Sequence, residues 1–466
     1  MILDEVNEFI KNNRTKIDTL YRQKYHFMGE IGWINDPNGF IYMDGKFHLF
    51  YQYVPYDGFK ESDGACWGHA ISEDLFKWEY LPVAIVPDQE YDKNGCWSGS
   101  SIYIDGVLYL FYTGNRIDNG VRRQTINIAY SFDGIHFQKH KNNPVIIPDK
   151  KISSICDFRD PYIFKYKNDY CILIGTNKDN KPCLVLYKSR NLIDWVFVNY
   201  FYRNDKLGTN FECPTFTEGK YLICSPQNVP PDGFDHFNVS SSVFLKGMIS
   251  DNQFHAENCL EIDHGLEFYA PQTTMKDDKT LLIAWFQMWG RKYINQESRA
   301  GWEGCLTLPR EIEYRNRNLY QNVPCGIKKY FKQEQKISLN TKHEIPTSCY
   351  LLIDNIIKDL ELCIGNDDDS FVVKYNKNED VLTISRETAK IQLGGVDNSL
   401  ATKGIRMTKC HTEEALKLEI YLDTISNEIF INDGVETMSS LFYFTGDHKY
   451  IWSNKPMQIT IHEIVK

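Results

Sequence analysis

The sequence predicts an all-β protein, a five-bladed β-propeller followed by a C-terminal β-sandwich. Three observations predict it. A hairpin unit recurs five times between residues 26 and 320. A second motif is interleaved with it at a period of roughly 60 residues, the size of one four-stranded blade with generous loops. Helical periodicity is confined to the N-terminus, and the rest is short alternating apolar runs rich in Tyr, Phe, Ile and Val, broken by turn dipeptides.

The elements follow in chain order. Residues 3–20 predict one helix within an N-terminal extension spanning 1–25. The five hairpins cover 39–52, 99–113, 161–176, 214–225 and 271–286. Their turns fall at Asp44-Gly45, Asp105-Gly106, near Asn168-Asp169, at Glu218-Gly219 and at Asp277-Asp278. Asp-Gly between alternating apolar residues is a strong hairpin signal, because both central positions need φ above zero. The interleaved motif, Ser-x-Asp/Asn-x-x-x-Trp/Phe, occupies 72–78, 131–137 and 189–195. A sandwich or barrel with accidental self-similarity is the competing reading of 26–320. Residues 321–345 are charged and irregular and read as a linker. Strand-like alternation then returns at 371–375, 381–385, 416–423 and 428–432, giving a sandwich over 346–466.

Composition narrows the function. The chain has 466 residues, 42% hydrophobic, 24% charged and 14% aromatic, which excludes disordered, collagen-like and coiled-coil chains. A net charge of −10 argues against a nonspecific grip on nucleic acid or anionic membrane, since both need a basic footprint. No apolar run reaches the roughly 18 residues of a spanning helix. The first ten residues are acidic and amphipathic and lack the basic flank of a secretory signal, so a cytoplasmic location is expected. The 13 cysteines contain no C-x-x-C pair, which removes support for a zinc or redox motif and reads as small buried hydrophobes in a reducing compartment.

The chemistry lies just before the first strand of each hairpin. There stand Asn35-Asp36-Pro37-Asn38, Trp97-Ser98, Arg159-Asp160-Pro161, Glu212-Cys213-Pro214 and Tyr269-Ala270-Pro271. The first strand of a propeller blade commonly runs along the central channel, so equivalent positions meet at one mouth. Three of the five carry a carboxylate: Asp36, Asp160 and Glu212. Their mutual repulsion is expected to raise the pKa of at least one. Paired carboxylates with opposed protonation are what glycoside hydrolysis needs. Taken singly, Asp36 and Asp160 read as turn-formers, because Asp-Pro starts turns. Their shared register with Glu212 favours the catalytic reading.

These residues carry a resemblance. Trp33-Ile34-Asn35-Asp36-Pro37-Asn38-Gly39, Phe158-Arg159-Asp160-Pro161 and Glu212-Cys213-Pro214 resemble the three signature motifs of glycoside hydrolase family 32, the family of invertases, sucrose-6-phosphate hydrolases, inulinases and levanases. Phe50-Tyr51-Gln52 and stretches 67–72, 97–100, 111–115, 269–273, 306–310 and 428–434 match in order and spacing. The resemblance implies the propeller-plus-sandwich fold reached above. It implies a retaining β-fructofuranosidase acting on sucrose, sucrose 6-phosphate or short fructo-oligosaccharides through a covalent fructosyl-enzyme. It implies a small sugar as partner and neither metal nor organic cofactor. Asp36 matches the nucleophile at C2 of fructose, Glu212 the general acid/base, and Asp160 the carboxylate that holds fructose hydroxyls and steadies the transition state. Asn35, Gln52, Trp97, Ser98, Arg159 and Trp285 match positions around the fructose ring, although Asn35 reads also as a turn residue and Trp97 and Trp285 as packing between blades.

Some residues depart from the family or stand outside it. Val54 replaces an Asn, and Phe59 or Lys60 stands where a pocket Trp is usual. His26, His48 and His69 lie on strand-like text and read as structural. Arg116, Arg122 and Arg123 follow the 111–115 motif and read as phosphate contacts or as a solvated loop. Three further functions compete. A fructosyltransferase differs only in acceptor-site shape. A catalytically silent fructan-binding propeller would lack one of the three carboxylates. An inverting arabinanase-type propeller holds its carboxylates farther apart, and Asn35-Asp36-Pro37-Asn38-Gly39 argues against it.

Overall fold

A computed structural model describes residues 1–56, 64–394 and 403–464, and strands dominate it. The helix is Leu3–Asn13, shorter than the 3–20 expected. Asn13 ends it: its side-chain amide turns back to the carbonyl of Phe9 at 2.7 Å, the local competition that makes Asn a poor helix former. Val6 and Ile10 are buried in a cluster shared with the first sheet. Among the described residues no helix is long and apolar enough to cross a membrane.

Five sheets of four or five strands follow one another along the chain. Their first strands are Gly32–Met43, Cys96–Ile104, Phe158–Tyr166, Asn210–Thr217 and Tyr269–Lys276. Each packs against the next, and the fifth packs back against the first, so the five form a closed ring. A second device fastens the ring. Trp302–Glu303 comes from the end of this region and pairs in parallel with Gly32 and Trp33, as the fifth strand of the first sheet.

The turn chemistry accounts for the hairpins. Asp44 and Gly45 have φ of 49° and 82°, and Asp105 and Gly106 of 49° and 80°, the left-handed pair that a two-residue hairpin requires. The third turn lies at Lys167-Asn168, one residue earlier than expected, because Tyr166 pairs with Asp169. The interleaved motif is also turn chemistry. Ser72 Oγ accepts from the amide of Leu75 at 2.8 Å, and Asp74 Oδ1 from the amide of Lys77 at 2.9 Å. Asp133 and Asn191 accept in the same way from His136 and Asp194, so each copy shapes the link from a third strand to a fourth.

Two six-stranded sheets form the C-terminal half around their own core, which includes Leu351, Leu362, Phe371, Leu418 and Ile459. Residues 321–345, expected as linker, hold the strand Phe331–Leu339, which pairs with Met457–Ile464 at the edge of one of these sheets. Its apolar alternation is masked because Lys332, Glu334 and Lys336 are exposed, the charge that an edge strand carries against unwanted pairing.

The two halves are joined by buried ion pairs. Arg310 reaches Asp263 at 3.0 Å and, in the C-terminal half, Glu428 at 2.7 Å, with all three side chains fully buried. His26 lies between Asp423 and Glu428, 2.9 Å from each.

Candidate active site

All five first strands break register at the same place. The slips fall between Ile34 and Pro37, Trp97 and Gly99, Arg159 and Tyr162, Glu212 and Thr215, and Tyr269 and Gln272. Four of the five contain a proline, which has no N–H to give to a ladder. The fifth contains Gly99, where a Cβ would lie 1.9 Å from the carbonyl oxygen of Phe111. Asp160, Cys213 and Ala270 take φ of 60°, 45° and 51° there. A bulge re-aims side chains out of simple alternation. Here Asp36, Ser98, Asp160 and Glu212 all turn into one pocket, walled also by Trp33, Asn35, Gln52, Trp97, Arg159 and Trp289.

The three acids have different surroundings. Asp36 is buried; Ser98 donates to its Oδ2 at 2.7 Å and the Asn35 amide to its Oδ1 at 3.1 Å. Burial pushes Asp36 up to about 7, the Ser98 hydrogen bond works against that, and the charges of Asp160 and Glu212 add to it. Asp160 accepts from the amide of Cys213 at 3.0 Å, and its own amide donates to Thr113 Oγ1 at 2.8 Å. Burial and Glu212 raise it to about 6, against Arg159. Glu212 is gripped on both oxygens: Arg159 Nε donates to Oε1 at 2.8 Å and the Tyr269 hydroxyl to Oε2. Arg159 is fixed in turn by Gln124 at 3.1 Å and Asp157 at 2.8 Å.

Cys213 joins two of the acids, its Sγ 3.7 Å from Asp36 and 3.5 Å from Asp160. Burial, then the charges of Asp160 and Asp36, raise this thiol well above its ordinary value, so it is a weak donor here and not a nucleophile.

The expected binding residues divide into two groups. Asn35, Gln52, Trp97, Ser98 and Arg159 reach the pocket, and the Gln52 amide is held by the carbonyl of Cys96 at 2.9 Å. Trp285 lies behind the wall: its ring stands edge-on to Trp33 with centroids 6.1 Å apart, and 4.8 Å from Trp289. The aromatic wall is therefore Trp33, Trp97 and Trp289. Trp33 belongs to the 33–39 motif, on the same strand face as Asn35, and Tyr269 occupies the shared register position. Trp289 sits in turn-like text with no periodic signal.

The histidines are remote or apolar. His48 Nδ1 faces His69 Nε2 at 3.1 Å, and burial lowers both rings below their ordinary value. Val54 pairs with Trp33 and is buried, offering the pocket no polar atom. Phe59 and Lys60 lie outside the described residues. Arg116 and Arg123 pair with Asp118, while Arg122 stacks on Trp97. The described residues that cluster with metal-ligand spacing, Asp235, Glu261 and His264, are elsewhere, and His264 is ion-paired to Asp235 at 2.7 Å and Glu436 at 3.0 Å.

Two buried acids and a third, half-buried one, each with unlike partners and set behind an aromatic wall in one concave pocket, define an enzyme that acts on glycosidic bonds. Comparison with known proteins agrees. Residues 26–323 match the glycosyl hydrolases family 32 N-terminal domain and residues 330–463 the family's C-terminal domain. The chain is 32% identical to a sucrose-6-phosphate hydrolase of Zymomonas mobilis, over 90% of this chain and 86% of that one. It is also 32% identical to a raffinose invertase of Escherichia coli, over 92% and 90%. A β-fructofuranosidase of Bombyx mori superposes with a TM-score of 0.89 at 28% identity, covering 100% of this chain and 98% of the other. The chain belongs to glycosyl hydrolase family 32.

Proposed function

We propose that this chain is a retaining β-fructofuranosidase that cleaves the fructosyl bond of sucrose and of sucrose 6-phosphate. In this reading the five sheets are the blades of a five-bladed propeller over 26–320, and the catalytic site is the mouth of its channel. The observation that carries the proposal is the meeting of Asp36, Asp160 and Glu212 in one pocket with different partners on each.

The chemistry runs in two steps. Ionised Asp36 attacks C2 of the fructosyl unit as the bond to the leaving oxygen breaks, and Glu212 gives its proton to that oxygen. Positive charge builds on the fructose ring, and Asp160 holds the ring hydroxyls and stabilises that charge. Water then attacks C2 of the fructosyl-enzyme; Glu212 takes its proton and Asp36 leaves as carboxylate. Two inversions give net retention. Ser98 and Asn35 aim Asp36, and Arg159 and Tyr269 fix Glu212 on the leaving-group side.

The test is turnover by the purified chain of sucrose, sucrose 6-phosphate, 1-kestose and inulin, with the anomer first released read by NMR. Release of β-fructose from the two disaccharides is the expected result. No release of fructose from any of the four overturns the proposal.

A further inference from the structure

We propose that Arg122 forms an anion subsite at the pocket rim and binds a phosphate carried by the leaving sugar. The inference rests on the fructosidase reading above and names the substrate class within it.

Three arginines lie on one hairpin: Arg116 on Val107–Asp118, and Arg122 and Arg123 on Val121–Ser131. They are not equivalent. Arg116 and Arg123 are cross-strand partners, and both give their Nε to Asp118 Oδ2, at 2.9 and 3.3 Å. One carboxylate occupies both. Strand alternation sends Arg122 to the other face. Its Cζ stands 4.8 Å from the centroid of Trp97, the ring that walls the catalytic pocket. Its Nε is shielded from solvent and has no hydrogen-bond partner, and among the described residues its guanidinium forms no ion pair. It is a half-buried cation at the edge of a substrate pocket, without a counter-ion of its own.

In this proposal Arg122 stands on the leaving-group side. Asp157 is paired to Arg159 at 2.8 Å and is close enough to Arg122 to feel its charge. Burial raises the Asp157 carboxyl, but Arg159, then the Asn177 hydrogen bond and last the charge of Arg122 hold it below its ordinary value. Asp157 forms its ion pair with Arg159 and none with Arg122. Arg159 leads on to Glu212, the acid assigned above to the leaving oxygen. In the same reading the sugar departs past Glu212 toward the Trp97 wall on which Arg122 stacks.

The chemistry of the site selects a phosphate monoester. A guanidinium laid on an indole is held in place by the ring, with its N–H edge free for two parallel hydrogen bonds to a tetrahedral dianion. A neutral disaccharide offers this cation only uncharged hydroxyl acceptors, a weaker match than a dianion.

The experiment compares kcat/KM for sucrose 6-phosphate and sucrose in the full chain, in Arg122→Gln, in Arg122→Lys and in Arg116→Gln. The ratio of the two substrates is the readout. The parent chain is expected to favour the phosphorylated sugar by roughly 10- to 100-fold, the range for a charge-assisted bidentate contact. Arg122→Gln is expected to bring the ratio close to one, through KM; Arg122→Lys keeps part of it, and Arg116→Gln keeps all of it. In parallel, glucose 6-phosphate inhibits the parent more strongly than glucose or inorganic phosphate does, and Arg122→Gln loses that difference. A parent ratio near one, or a ratio untouched by Arg122→Gln, overturns the subsite while sucrose turnover upholds the fructosidase reading. No turnover of either disaccharide overturns both.

Discussion

Ser98 Oγ lies 2.7 Å from Asp36 Oδ2, a hydrogen bond between the first strands of two neighbouring sheets. It is the main local force opposing the upward push of burial on Asp36. Ser98→Ala removes a donor to the charged form, so the carboxyl becomes harder to ionise. The acid limb of kcat/KM is expected to move to higher pH by about one unit, since a hydrogen bond to a charged group contributes about 1.5 kcal/mol or more. A pH–rate profile of parent and variant checks this; a limb that stays in place removes Asp36 from the group that limb reports.

Asp36→Ala deletes the oxygen proposed to attack C2. Hydrolysis of sucrose is expected to fall by at least about 10⁴-fold, the scale seen when a nucleophile is removed. The fold is expected to survive, because the variant removes a buried carboxyl already destabilised by two others. Turnover and a melting curve measured on one preparation separate the two effects. Near-normal turnover would take the nucleophile's role from Asp36.

Arg310 closes the contact between the two halves of the chain by meeting Asp263 and Glu428 where all three are fully buried. Arg310→Met leaves buried Asp263 without its cation and Glu428 with His26 alone. The expected loss of stability is about 3–5 kcal/mol, the usual result of breaking a buried pair from one side. Urea unfolding of parent and variant measures it.

His26 gives the same contact a dependence on pH. Burial disfavours its charged form, but the hydrogen bonds to Asp423 and Glu428 outweigh it and raise the ring to about 9, against an ordinary value of 6.5. A folded-state pKa above the unfolded one stabilises below the unfolded value, and the stabilisation fades as pH rises through the folded value. The difference in Tm between parent and His26→Gln is therefore expected to be full below about pH 6.5 and to shrink through about pH 9. A difference that does not change across that window excludes a charged His26.

The carboxylate trio was legible because it needs only two things from the sequence, a repeat and a position within it. The repeat announces itself through turn residues whose backbone demands are local, as at Asp44-Gly45 and Asp105-Gly106. The prolines at 37, 161, 214 and 271 mark the bulges and hence the position. Trp289 was not legible, because its place on the wall depends on how Trp285 packs edge-on to Trp33 across most of the chain. The strand Phe331–Leu339 was hidden for a different reason: an edge position replaces the apolar alternation with exposed charge. The unequal fates of Arg116, Arg122 and Arg123 follow from one carboxylate, Asp118, being shared across a hairpin, which spacing does not reveal.

The parallel pairing of Trp302–Glu303 with Gly32 and Trp33 has a consequence for biosynthesis. The ribosome delivers residue 33 early, yet the strand that completes its sheet is made only when nearly two thirds of the chain exists. Until then the segment bearing Asp36 presents an open edge, and a nascent chain halted before Glu303 would keep that edge exposed to other strands.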